Sequence, residues 1–117
     1  MKKIKLRHVF KLAQILDRTD ALEHLEPLII QTTNLSAYQG SDKFQKMTDL
    51  GVKMVTTLLQ KAGRAEGEIV ALLSDIWEVD DANDLDIEEV IELAKEMVEK
   101  NNIIDFFKQA QALTLQK

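Results

Sequence analysis

Apolar residues recur at helical spacing along the chain from Leu6 to Leu113. They follow the i, i+3, i+4, i+7 pattern that places a stripe of apolar side chains along one face of an α-helix. The sequence lacks the two-residue alternation of a half-buried strand, and it has no internal repeat. Turn-forming residues are scarce, with four Gly and one Pro in 117 residues. The pattern therefore predicts a single all-α domain over residues 1–117, a compact bundle of five to six helices with short connections.

The predicted helical segments cover residues 5–17, 21–34, 42–62, 65–77, 87–100 and 103–114. The second segment is expected to break near Glu26, with Pro27 in the first turn of a new helix, because proline cannot donate the backbone hydrogen bond of a helix interior. A loop is expected over 35–41. The inward stripe of the first segment is predicted to be Leu6, Val9, Phe10, Ala13 and Leu16. That of the third is predicted to be Phe44, Met47, Gly51, Met54, Val55, Leu58 and Ala62.

Several helix starts carry capping signals. Asp86 and Glu89 have the spacing of a capping box, and Leu85 before them can pack on Val90. Asp20 with Glu23, Ser41, and Asn102 with Asp105 are weaker signals of the same kind. Gly51 lies inside an apolar stripe, where glycine costs about 1 kcal/mol in helix propensity. Close approach of another helix is the natural reason for a glycine at that position.

Catalytic side chains are few. The absence of Cys excludes thiol chemistry and cysteine-ligated zinc, and it fits a reducing cytoplasm. The two histidines, His8 and His24, do not form a His-x-x-x-His pair, and the acidic connector 78–86 has neither the Gly nor the spacing of an EF-hand. There is no phosphate-binding loop or nucleophile elbow. We therefore expect a protein that is not an enzyme and has no catalytic, cofactor-binding or metal-binding residues.

Nucleic acid and membrane are not the expected partners. The helix over 65–77 carries Glu66, Glu68 and Asp75 but no Lys or Arg, so phosphates would repel it as a recognition helix. The basic N-terminus is the one candidate patch, and such a run is more often a solvated helix face. No segment approaches the ~20 apolar residues of a membrane span.

The charge is divided unevenly along the chain. Residues 1–64 hold eleven Lys/Arg and six Asp/Glu, whereas residues 65–117 hold four and fourteen. Either each half is simply solvated, or the basic half of one copy attracts the acidic half of another. The second interpretation predicts a head-to-tail homo-oligomer, with self-association residues Lys2, Lys3, Lys5 and Arg7.

Large apolar side chains are the remaining candidates for protein binding. Phe106 and Phe107 are adjacent, so on a helix they point about 100° apart. One is expected to enter the core while the other faces a groove or partner. The candidate protein-binding residues are Phe106, Phe107, Leu113, Trp77 and Tyr38. The alternative is that all of them belong to the core.

Four stretches carry a resemblance to a known family. They are the Lys-rich start that runs into Phe10–Leu16, the Leu72–Ile76 segment, the acidic helix at Ile87–Leu93, and the near-terminal Asp105–Lys108. With a long central helix between them, they make the chain similar to the small tail assembly chaperones of long-tailed phages (siphophages) of Gram-positive bacteria, the lactococcal type in particular. The resemblance covers most of the chain.

The resemblance implies a non-catalytic role. Such proteins are all-α and oligomerise, which implies that this chain self-associates into a ring or a spiral. They bind the tape measure protein and keep it soluble until tail-tube subunits polymerise around it. They act in the host cytoplasm and are absent from the mature virion. Many also exist as a longer form produced by ribosomal frameshifting. The polar end Thr114–Lys117 would suit such an extension. Two other classes stay open from the residues, a small helical regulator that binds a single protein partner and a nucleic-acid-binding accessory protein.

Overall fold

The computed structural model describes residues 1–32, 35, 38–61 and 63–115, with Leu115 described by its backbone alone. Within these ranges there are six α-helices: α1 (Leu6–Arg18), α2 (Ala21–Gln31), α3 (Gly40–Gln60), α4 (Glu66–Trp77), α5 (Ile87–Lys100) and α6 (Ile103–Leu115). Short 3₁₀ turns over 63–65 and 82–84 flank α4. No strand occurs in the described ranges, and the predicted all-α bundle of five to six helices is confirmed. Ala62 of the predicted third stripe, and Gln116 and Lys117 of the polar end, lie outside the described residues.

One hydrophobic core receives side chains from every helix. α1 packs against α6, α3 against α5, α2 against α3, and α4 against α1. The largest fully buried side chains are Leu12, Ile15, Leu25, Met54, Leu58, Ile69, Ile76, Met97, Ile103 and Phe107. Because each helix contributes an apolar face rather than an apolar circumference, the opposite faces stay available to solvent or to other proteins.

The predicted inward stripe of α1 is partly wrong. The buried residues of this helix are His8, Val9, Leu12, Ile15 and Leu16. Leu6 and Phe10 are instead exposed by 64% and 48%. The predicted stripe and the observed buried set both fit the helical spacing, because apolar residues surround much of α1. The positions of α6 and α4 decide which set is covered.

Pro27 does not interrupt α2, contrary to the prediction. The helix continues from Ala21 to Gln31 with Pro27 inside it. The proline removes one backbone hydrogen bond, to the carbonyl of Glu23, and both residues lie on the exposed side of the helix. Water can reach that carbonyl, which limits the cost of the missing bond.

Two of the weaker start signals are also wrong. Asp20 makes no side-chain cap at the start of α2. The Thr19 hydroxyl oxygen instead accepts a hydrogen bond from the Ala21 N–H at 3.3 Å. The third helix begins at Gly40, one residue before Ser41, with Gln39 at the N-cap position. Gly40 has a φ of 60°, a left-handed conformation that glycine adopts without strain and that redirects the chain into α3.

Two caps are confirmed. The Asp86 Oδ1 accepts a hydrogen bond from the Glu89 N–H at 2.8 Å and fixes the start of α5. The Asn102 Oδ1 accepts one from the Asp105 N–H at 3.1 Å at the start of α6. These bonds satisfy backbone donors that the first helical turn leaves without partners.

Replacing Asp86 with Ala should lower the free energy of unfolding by about 1 kcal/mol. The alanine cannot accept the bond from the Glu89 N–H, while the exposed position loses little packing. Urea denaturation of the two proteins would measure the change. Asp84→Ala, a nearby exposed carboxylate with no cap role, serves as the control, and equal midpoints for all three proteins would contradict the assignment.

Candidate protein-binding surfaces

A cluster of polar side chains fastens the N-terminal segment to α4. The Lys2 Nζ donates to Asp75 Oδ1 at 2.6 Å, and the His8 Nε2 lies 2.7 Å from Asp75 Oδ2. The Arg7 guanidinium approaches the same Oδ2 at 3.5 Å. The Lys2 N–H also donates to the Ile76 carbonyl at 2.8 Å. Residues more than 65 positions apart in the chain are thereby joined at the end of α4.

The hydrogen bonds of His8 define its tautomer. The Lys5 N–H donates to His8 Nδ1 at 2.9 Å, so this nitrogen accepts and the ring proton resides on Nε2. The Nε2–H then donates to Asp75. Hydrogen bonds from Lys2 and then His8 hold the pKa of the Asp75 carboxyl well below its ordinary value. The His8–Asp75 pair therefore joins α1 to α4.

The cluster corrects one premise of the self-association prediction. Lys2 and Arg7, two of the four proposed contact residues, already face Asp75 of the acidic half within the same molecule. Lys3 and Lys5 remain exposed. Part of the opposite charge of the two halves is thus paired inside one copy.

Replacing Asp75 with Asn should make the protein less stable at neutral pH than wild type, by an amount that shrinks in acid. A carboxyl with a lowered pKa stabilises the fold fully above its ordinary value of 3.8 and loses this contribution as the pH falls below that value. The variant has no such group to titrate. Urea midpoints of both proteins at pH 7 and pH 3 would measure the difference, and a gap of the same size at both pH values would contradict the role of Asp75.

A ridge of exposed apolar side chains runs along α1. Leu6 and Phe10 lie one turn apart on the side of the helix away from its buried face. Beside Leu6 a groove of about 290 Å³ separates α1 from α6, and Val9 and Phe106 are among the residues that line it. Leu113, a predicted contact residue, is half-buried on α6. It precedes Thr114, whose hydroxyl lies 3.4 Å from the Ala13 carbonyl of α1.

A second apolar surface lies at the start of α3. From Thr48 onward the inward face of this helix is buried against the rest of the bundle, but Phe44 on the same face is 48% exposed. Met47 lies between them and is half-buried. It borders a groove of about 340 Å³ whose lining is part apolar and part polar. The other lining residues are Val98, Glu99, Lys100, Asn101, Asn102, Ile103 and Ile104. The apolar face of α3 therefore begins before the point at which the other described elements cover it. We call this uncovered beginning, formed by Phe44 and Met47, the α3 overhang.

Three predicted protein-binding residues belong to the core instead. Phe106, Phe107 and Trp77 are all buried. The expectation that one phenylalanine of the pair faces outward is wrong. α6 packs against α1, α2 and α5, and these neighbours cover both of the directions, about 100° apart, in which the rings point. Their ring centroids are 5.7 Å apart.

Tyr38 is the predicted contact residue that the fold leaves at its surface. It is 39% exposed, and the Lys46 ammonium lies 5.5 Å from the centre of its ring. At this distance the cation is attracted to the face of the ring. The exposed apolar side chains that sequence reasoning missed are Leu6, Phe10, Phe44, Ile30 and Ile87. Their hydrophobicity is visible in the sequence, but helical spacing assigns the first three to inward stripes.

Three ionisable side chains at the start of α2 lie close together. Ligand atoms of Asp20, Glu23 and His24 fall within 4.8 Å of one another, and all three side chains are exposed. Exposed groups at this spacing on a helix meet without an ion, and no other described feature nearby indicates a metal site. None of the described helices is long and apolar enough to cross a membrane.

Comparison with known proteins gives no relative, since no family model, no curated protein and no solved structure matches the chain.

Proposed function

We propose that this chain is a non-catalytic chaperone that binds apolar helical segments of a long client during phage tail assembly. The α3 overhang is the observation that supports this function best. It combines an exposed Phe44 with a half-buried Met47 and a groove of about 340 Å³. An apolar helix can place a side chain in such a groove, and the flexible thioether of Met adapts to different partners.

The proposed client comes from the resemblance of the sequence to tail assembly chaperones. A tape measure protein is very long and apolar, and it needs cover until tail-tube subunits polymerise around it. Shallow, repeated contacts suit that task better than one deep pocket, because the chaperone must release its client. The chain would act in the host cytoplasm and be absent from the mature virion, and a longer frameshifted form would bring the same surfaces.

Charge supports the solubilising half of this role. The net charge is −5, and the surface of α5 is strongly acidic. Copies bound along a client would replace its apolar surface with a charged one, which opposes aggregation. The proposal also includes self-association of the chaperone head to tail, as a ring or a spiral that can follow an extended client.

Co-production with the tape measure protein tests the function. Wild-type chain should keep the large protein in the supernatant after centrifugation, whereas Phe44→Ser should let much of it precipitate. Ile30→Ser is a matched control, because it removes another large exposed apolar side chain, this one from α2. Circular dichroism would verify that both variants keep their helix content.

Two results would contradict the proposal. One is a client that stays equally insoluble with and without wild-type chain. The other is a chain that remains monomeric alone and forms an equimolar complex with some other single protein, which would favour the small helical regulator.

A further inference from the structure

An apolar row and a basic row lie side by side on α1. Leu6 and Phe10 form the apolar row, one helical turn apart and both exposed. Arg7 and Lys11 follow them directly in the sequence, so the basic row lies about 100° further around the helix. Arg7 is exposed, and its guanidinium also lies 3.5 Å from Asp75 of the same copy. Lys11 is partly exposed. We call these four residues the basic face of α1.

The same arrangement with opposite charge occurs on α5. Ile87 is 66% exposed and Ile91 is partly exposed one turn later. Glu88 and Glu92 follow them directly and are exposed. Glu92 has one weak partner on its own helix, the Lys95 ammonium at 3.6 Å. We call Ile87, Ile91 and the two glutamates the acidic face of α5.

We propose that the basic face of α1 in one copy packs against the acidic face of α5 in a second copy, with the two helices antiparallel. On a right-handed helix each charged row follows its apolar row in the same rotational sense. When two apolar rows face each other, the charged rows fall on the same side of the contact only if one helix is reversed. The antiparallel contact then sets Phe10 near Ile87 and Leu6 near Ile91, with a cation and a carboxylate beside each apolar pair.

The contact joins two different surfaces, and each copy carries both. Such a heterologous contact leaves one face free at each end, so that copies can add until a ring closes or a spiral extends. The charges are exposed, and the Debye length is ~8 Å at physiological salt. They would therefore orient the helices and speed encounter, while the apolar rows supply most of the affinity.

A second copy is the occupant that the charges favour. The α5 of the chain itself offers the apolar and acidic rows, in the same register, that the α1 face needs. The inference specifies the self-association included in the proposed function and rests on it to that extent. It can be tested with the chain alone, so that a failure to bind the client and a failure to self-associate give separate results.

Charge reversal provides the test, with sedimentation velocity of the purified chain at low salt as the measurement. Wild type should associate reversibly, and Arg7→Glu with Lys11→Glu should weaken association at least tenfold. Glu88→Lys with Glu92→Lys should do the same. An equimolar mixture of the two variants should recover association, because each charged face of one variant then meets the opposite charge on the other.

A control pair and an apolar pair complete the experiment. Lys43→Glu with Lys53→Glu changes the net charge by the same amount on exposed positions of α3, and it should leave association unchanged. Phe10→Ser and Ile87→Ser should each weaken association, also at high salt. Circular dichroism would show that each variant keeps its helices.

Weakened variants that recover on mixing support the antiparallel contact. A wild type that stays monomeric at several hundred micromolar would overturn it, as would variants that associate like wild type. Weakening by the α1 reversal without recovery in the mixture would also overturn it, because α1 would then bind something other than α5.

Discussion

Replacing Phe107 with Ala is expected to lower the free energy of unfolding by about 3–5 kcal/mol. The Phe107 side chain is 1% exposed and belongs to the core that all six helices share. Truncation to alanine removes its apolar surface from the core and leaves a cavity that the packed neighbours can fill only in part. A loss of this size is a large fraction of the stability of a small domain, and the variant should unfold at a much lower urea concentration.

Phe106→Ala should act in the same way and by a similar amount. Its ring is also buried and lies 5.7 Å from that of Phe107, at a tilted angle of 54°. Phe10→Ala is the control, because removing this exposed ring should lower the free energy of unfolding by less than about 1 kcal/mol. Tryptophan fluorescence of Trp77 and circular dichroism would follow unfolding by independent signals. A Phe106→Ala variant as stable as wild type would revive the idea that this ring serves an outside partner.

The presence of the helices could be predicted from the sequence because the signals for them, apolar spacing and capping residues, act between residues that are close in the chain. The cap at Asp86 and the cap at Asn102 are bonds within four residues, so their pattern was visible in the chain. The predicted segment 42–62 corresponds to Gly40–Gln60, a small shift at each end. Pro27 was misjudged because its cost depends on solvent access to one carbonyl, which the sequence does not record.

Face assignment was harder than helix assignment. On α1 the apolar residues surround more than half of the helix, and two stripes fit the same spacing. The burial of His8 illustrates the difficulty, since this residue was not part of the predicted inward stripe. It is accommodated because Asp75 and the Lys5 N–H satisfy both of its ring nitrogens. Asp75 lies 67 positions away, so only the tertiary fold could select the stripe that contains His8.

The candidate surfaces depend on where neighbouring helices end. Phe44 lies on the predicted inward face of its helix, yet it is exposed because the described elements cover that face only from Met47 and Thr48 onward. The uneven distribution of charge along the chain is visible in the sequence, but the ion pair between Lys2 and Asp75 is not. Exposure of an apolar side chain and pairing of a charge are properties of the packed bundle, and they became visible only with it.

Gly51 is the position where a single added methyl group should do the most damage for its size. A Cβ at this position would lie 2.3 Å from Val98 Cγ2 and 3.0 Å from Ile103 Cγ2. Real carbon atoms do not approach this closely, so α3 and α5 would have to separate. Val98 is buried and β-branched, so its χ1 rotation is restricted and its methyl group gives way less readily than a flexible side chain would. The close approach predicted from the sequence is confirmed here.

Gly51→Ala should therefore destabilise the fold by about 1–3 kcal/mol, although alanine is the better helix former by about 1 kcal/mol. The steric term wins because two stiff side chains oppose the methyl group. Gly67→Ala is the matched control. Gly67 lies in the first turn of α4, where no atom of the described residues comes within 4 Å of an added Cβ. The same substitution should therefore be neutral or stabilising there. Urea midpoints that move in opposite directions would support the packing argument, whereas a Gly51→Ala variant as stable as Gly67→Ala would show that α3 and α5 do not meet at this glycine.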